Sequence, residues 1–365
     1  RSATVLGIEG CPVTVEVHTG DGLPGFSIVG LPDASCREAR DRCRAAIVSS
    51  GLSWPNQKTI VNLAPSAERK VGTGLDLAIA LGVLVASDQV PAPAVKDLSC
   101  IGELGLDGTV RPVAGTVSLV DALPDGTIVV PAASARHARL VGRHRVHAVE
   151  RLSDVVLAVT GAAPWPDVAE PDPPPPPPPL PVLADVRGQP VARQALEIAA
   201  AGGHHILLVG SPGAGKTMLA RRLPGLLPPL TGDDALAVTR VMSAAGVPVP
   251  GDGLVTRPPF RAPHHSSTLV SLVGGGTTAL RPGELSLADH GVLFLDEMGE
   301  FPPSVIDSLR QPLEDGVVRI SRARATITLP ARFLLVGATN PCPCGLASER
   351  VGCRCSEAAR ARYRR

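Results

Sequence analysis

Apolar and polar residues alternate over residues 4–8 and 13–18, and this period of two predicts two strands joined near Gly10-Cys11-Pro12. A turn-rich loop, Gly20-Asp21-Gly22-Leu23-Pro24-Gly25, leads into a short strand over 26–29. Asp33 or Ser35 caps a helix that runs to Val48 and stops at Gly51. Residues 58–63 read as a strand, and residues 75–86, apolar almost throughout, as a core helix. Two more strand patterns fall at 100–104 and 127–131. In the second half, residues 190–201 have helical spacing behind Pro190, a first-turn proline. Apolar runs at 206–209, 291–295 and 333–339 read as buried strands. Residues 309–315 form a helix that ends at Gly316, followed by a hairpin of 317–321 against 325–329.

Between the halves the pattern breaks. Pro164 and Pro166 precede seven consecutive prolines, 173 to 179, and then Leu180-Pro181. Proline lacks the N–H and fixes φ, so this stretch is an extended polyproline spacer. The alternative, a ligand for a proline-binding domain, lacks a flanking basic residue. The expected organisation is an α+β domain over 1–162, a linker over 163–182 and an α/β domain over 183–365.

Composition narrows the partners. A net charge of +1 gives no global field for a polyanion, so nucleic acid would be met by a local patch. Aromatics at 2% leave few base-stacking platforms. No apolar run approaches the length of a membrane span, and no signal peptide precedes the first strand. Eight cysteines, four of them clustered, suit a reduced cytoplasm and a metal site rather than a disulfide framework. The first residue, Arg1, suggests a piece of a longer chain.

The chemistry centres on Gly210-Ser211-Pro212-Gly213-Ala214-Gly215-Lys216-Thr217, a G-x-x-x-x-G-K-T run between strand and helix. Its glycines let the backbone wrap a phosphate, and the following helix adds partial positive charge. Lys216 reaches the β- and γ-phosphates of ATP, and Thr217 offers its hydroxyl to Mg²⁺. The apolar run at 291–295 ends in Asp296-Glu297, which supplies a Mg²⁺ ligand and then a base for the attacking water. Cys342, Cys344, Cys353 and Cys355 form two C-x-C pairs that read as a Zn²⁺ site, against redox thiols or structural cysteines. His264-His265 suggests metal, but adjacent side chains rarely converge and no third ligand has a fixed spacing. With Arg261 they are better read as contacts to nucleotide, a neighbouring subunit or substrate.

Two resemblances cover nearly the whole chain. Residues 61–65, 70–78 and 101–113 are similar to the Lon-protease-type (S5-type) fold. That family's Ser–Lys dyad falls on Gly72 and near Val117, so no protease activity is expected, and the nearest hydroxyls, Thr73 and Thr116, read as structural. The P-loop, Asp296-Glu297, the 258–267 and 281–290 segments and the hairpin resemble the magnesium-chelatase-like AAA+ ATPases of the YifB/ComM subfamily. The resemblance implies a P-loop AAA+ α/β domain, with Val186 and Gln189 near the adenine and Asn340 as the sensor that orients water. It also implies hairpin arginines Arg319, Arg322 and Arg324 on DNA phosphates. The expected protein is a cytoplasmic hexameric ring that uses ATP and Mg²⁺ to move along single-stranded or branched DNA in recombination of incoming DNA. The rivals are a chelatase motor for Mg²⁺ insertion into porphyrin, a nucleotide-gated scaffold and a Lon-type protease. The family's arginine finger and sensor 2 helix would lie past Arg365, so the expectation is nucleotide binding with weak hydrolysis by this stretch alone.

Overall fold

Gly7 sets the first chain reversal: its φ of +69° is reached without a Cβ clash. The computed structural model describes residues 1–169, 178–249, 253–276, 280–322, 325–346 and 352–363. Ser2–Leu6 pairs antiparallel with Glu9–Gly20. The expected strand over 4–8 and turn near Gly10 are thus corrected. The turn sits at Gly7-Ile8, and Cys11 and Pro12 lie inside the long strand opposite Thr4 and Ala3. The polyproline run falls outside the described residues except at its end.

The described chain divides into two compact units, Arg1–Pro175 with Thr239–Leu254 and Thr277–Leu280, and Pro176–Val238 with Val255–Gly276 and Arg281–Arg365. In the first, Glu9–Gly20 pairs antiparallel with Lys58–Ala64, which takes Gly25–Val29 parallel on its far side. The helix Ala34–Ser49 starts where the Asp33 carboxylate accepts the Cys36 N–H at 2.8 Å. Asp76–Ala86 is apolar on every face and is buried accordingly, with Leu77, Ile79 and Leu84 fully inside. A second, parallel sheet joins Leu98–Cys100, Gly126–Pro131 and His144–Val149. The strand expected over 100–104 is also corrected. It stops at Cys100, because the Gly102 N–H turns to the Gly74 carbonyl, and Glu103–Leu104 then pairs with Val110–Arg111.

One ion pair sits inside this unit. The Asp76 carboxylate is buried and receives Arg42 Nε at 2.6 Å, Arg42 Nη2 at 3.0 Å and the Leu104 N–H at 3.2 Å. Burial pushes the Asp76 carboxyl above its ordinary value, and the Arg42 hydrogen bonds oppose that rise. Removing one partner of a buried pair strands the other, so Arg42→Met should cost about 3–5 kcal/mol, read as a lower urea midpoint. A shift under about 1 kcal/mol would mean the carboxylate is not held by this pair.

The second unit is a P-loop α/β domain. Four parallel strands run in the order Ile206–Val209, Leu334–Thr339, Val292–Leu295, Phe260–Arg261. The helix Pro190–Gly202 lays Leu196 against Leu219, Leu223, Phe294 and Val336. The hairpin Val317–Arg322 and Ala325–Pro330 forms as expected, with Val318 opposite Leu329 and Ile320 opposite Ile327. Those four are buried, while Arg319, Ser321, Thr326 and Thr328 face outward. Among the described residues no helix is long and apolar enough to cross a membrane.

Candidate functional site

The order of the four strands puts three loops side by side. Ile206–Val209 and Val292–Leu295 both pair with Leu334–Thr339, so the P-loop, Asp296-Glu297 and Asn340 leave the same edge of one sheet. Ligands of open parallel sheets bind at that edge. A cavity of ≈ 370 Å³ opens there, lined by Pro212 through Met218, Asp296, Glu297, Thr339 and Asn340.

The P-loop conformation depends on two glycines. Gly213 and Gly215 have φ of +81° and +85°. A Cβ on Gly213 would meet nothing within 4 Å, so its space is open for a ligand rather than filled by protein. A Cβ on Gly215 would press on Gln189 Nε2 and Met218 Cε at 3.3 Å each. The helix after the loop is shorter than its sequence suggests. Lys216–Ala220 is five residues long, followed by a 3₁₀ turn at Leu223–Gly225 that carries Pro224. Its dipole is correspondingly modest, which leaves the loop N–H groups as the main anion donors.

Lys216 Nζ donates to the Gly210 carbonyl at 2.7 Å, the Ser211 carbonyl at 3.1 Å and Asn340 Oδ1 at 3.1 Å. Thr217 Oγ1 donates to Asp296 Oδ2 at 2.7 Å. A hydroxyl and a carboxylate oxygen therefore meet at one point, the hard oxygen set that Mg²⁺ takes alongside phosphate and water. Glu297 has φ +51°, a left-handed conformation that costs a non-glycine residue about 1–2 kcal/mol. Its carboxylate is half exposed and lies 3.5 Å from His265 Nδ1. Strain of this kind clusters where a side chain must be aimed.

Of the two residues expected near the adenine, Gln189 reaches the P-loop, donating from Nε2 to the Ala214 carbonyl at 2.9 Å. Val186 is buried in the apolar core beneath it, and its side chain is not in the cavity wall. Arg261 donates from Nε and Nη2 to the two oxygens of Glu284 at 2.6 and 2.7 Å, a bidentate pair the sequence did not suggest. His264 and His265 pack ring against ring, 4.0 Å between centroids. They line a second hollow with Thr217, Arg221, Asp296 and Glu297. The histidines' nearness to Glu297 had no sequence signal, since only the pairing of Phe260–Arg261 with Val292–Leu295 brings the two loops together.

Arg319 is exposed and pairs with Asp315 at 3.0 Å. Arg322 closes the first hairpin strand, and Arg324 lies outside the described residues. The four clustered cysteines converge, with their Sγ atoms all within 4.8 Å of one another. In the first unit, Thr73 donates to the Glu103 carboxylate and Thr116 to the Val113 carbonyl at 3.0 Å.

Comparison with known proteins gives a family for both halves of the chain. The family described as "Magnesium chelatase, subunit ChlI" matches residues 182–365, and "Subunit ChlI of Mg-chelatase" matches residues 15–134. The chain is 43% identical to the competence protein ComM of Haemophilus influenzae, covering 94% of this chain and 68% of ComM. It is 42% identical to the uncharacterized protein YifB of Escherichia coli, covering 94% of this chain and 68% of YifB. An uncharacterized Mycobacterium tuberculosis protein is 45% identical over 99% of this chain and 72% of its own length.

Proposed function

This chain belongs to the YifB/ComM group of the magnesium-chelatase-like AAA+ family, and from that membership we propose that it is an ATP-hydrolysing motor that moves along DNA. The observation that carries the ATPase half is the meeting of Lys216, Thr217, Asp296, Glu297 and Asn340 around one cavity. The P-loop N–H groups cradle the phosphates and Lys216 neutralises the γ-phosphate. Thr217 and Asp296 would hold Mg²⁺, which would supply charge neutralisation to the phosphates when bound. Glu297 takes a proton from the attacking water, Asn340 fixes that water's orientation, and Gln189 positions the nucleotide beside the loop.

The DNA half is supported by the kinship with a competence protein, and by the outward row of the hairpin that carries Arg319. Arg319, Arg322 and Arg324 would meet phosphates and give affinity without sequence preference. The working form is a homo-oligomeric ring, hexameric in this reading, that places the hairpins around a central strand of DNA. Its task would be branch migration during recombination of incoming DNA.

The deciding experiment is ATPase rate with and without single-stranded and branched DNA. The expected result is stimulation by DNA, and a flat response across both substrates would end the DNA reading. Single-stranded DNA binding should also weaken with salt. Arg319→Ala should reduce the slope of log affinity against log salt by about 0.7, the value for one lost phosphate contact. An unchanged slope would remove Arg319 from the interface. The match to the magnesium-chelatase family favours a second reading, a motor for Mg²⁺ insertion into porphyrin. Porphyrin metallation together with indifference to DNA would select it.

A further inference from the structure

The strand Leu334–Thr339 delivers Asn340 to the cavity and then turns at once through Cys342-Pro343-Cys344-Gly345, closed by the Gly345 N–H on the Cys342 carbonyl at 2.9 Å. Cys342 is fully buried. Its Sγ lies 3.3 Å from that of Cys344 and 3.6 Å from that of Cys353, and Cys344 and Cys353 are also 3.6 Å apart. Cys355 completes a set whose sulfurs all fall within 4.8 Å. Four sulfurs about 2.3 Å from a common centre, the Zn–S distance, form a tetrahedron of much this size. Disulfides would need bonded sulfurs about 2.05 Å apart, and all eight cysteines are free. An iron–sulfur cluster places several atoms between its thiolates and would need a wider cage.

A closed set of four sulfurs with no open position is the chemistry of a structural zinc. The surroundings fit the charge. Four thiolates around a dication keep two negative charges, and Arg360 of the helix Glu357–Tyr363 donates from Nη2 to Cys353 Sγ at 3.1 Å. Such outer donors orient metal ligands and tune them.

We propose that Cys342, Cys344, Cys353 and Cys355 bind one structural Zn²⁺ that braces the wall of the nucleotide cavity. The link to that wall is direct. A Cβ placed on Gly345 would meet Pro212 Cδ at 2.5 Å, so the cysteine turn lies hard against the P-loop residue that lines the cavity. Glycine is required at this contact, and its φ of +77° favours glycine as well. The metal therefore fixes a turn with Asn340 at one end and the Pro212 contact at the other. This bracing role, though not the metal site itself, rests on the nucleotide reading above.

The test is elemental analysis of the protein purified under reducing conditions without a metal-affinity step. One Zn²⁺ per chain is expected. Replacement by Co²⁺ should give the intense visible bands and sulfur-to-cobalt charge transfer of a tetrahedral thiolate site. Iron in place of zinc, less than about a fifth of an equivalent of any metal, or a cobalt spectrum without thiolate character would overturn the site. Cys353→Ser combined with Cys355→Ser should lose the metal, and the cobalt spectrum of the unmodified chain decides the matter should that variant not fold. Lys216→Ala should keep its full zinc, which separates failure of the metal site from failure of the nucleotide site. Stripping the zinc with a chelator should weaken binding of a fluorescent ATP analogue about tenfold, the scale of effects from groups that support a site. Unchanged affinity after complete stripping would overturn the bracing role.

Discussion

Glu297→Gln should leave ATP bound and slow its hydrolysis by about 10²–10⁴-fold, the usual contribution of a positioned base. Glutamine keeps the size of the side chain and removes its negative charge, and with it the ability to take a proton from water. The backbone at Glu297 already sits at φ +51°, and glutamine bears that conformation no worse than glutamate. The loss should therefore appear in turnover and not in folding. Single-turnover ADP release, paired with equilibrium binding of a fluorescent ATP analogue, separates the two. A variant that hydrolyses within threefold of the parent protein would move the base elsewhere, and His265, 3.5 Å from the same carboxylate, would be the next residue to replace.

Lys216→Ala should act one step earlier and abolish measurable binding. The ammonium contributes charge-assisted hydrogen bonds to phosphate, each worth about 1.5–3 kcal/mol. At 1.4 kcal/mol per decade, two such bonds predict a fall in affinity on the order of 10²–10⁴-fold. The fold should be little affected, because the Gly210 and Ser211 carbonyls that Lys216 now engages are only partly buried and can turn to water. Isothermal titration with ATP and a thermal melt check both halves. Tight ATP binding by the variant would show that the loop does not carry the phosphates.

How much of this was legible in the sequence depended on the range of the interaction. The P-loop, the run ending in Asp296-Glu297 and the hairpin are local patterns in which residue type and spacing alone set the shape. The nearness of Asn340 to Lys216 followed only by resemblance, since strand order is not encoded in any one segment. Pairings between segments far apart in the chain, such as Arg261 with Glu284 and His265 with Glu297, had no local signature. The early turn was misplaced for a different reason. Gly10 and Pro12 looked like breakers, but the long edge of the hairpin tolerates them, and Gly7 supplied the positive φ. Val186 was linked to the nucleotide by resemblance alone, and its own apolar side chain accounts for its burial.

The two faces of the hairpin have a mechanical consequence. Val318, Ile320, Ile327 and Leu329 are all inside, and a slip of one residue in either strand would turn that strand's apolar pair outward. The hairpin therefore has no low-energy way to shorten or lengthen by sliding its strands. A displacement at its base near Gly316 and Ala331 is therefore not absorbed by a change of register between the two strands.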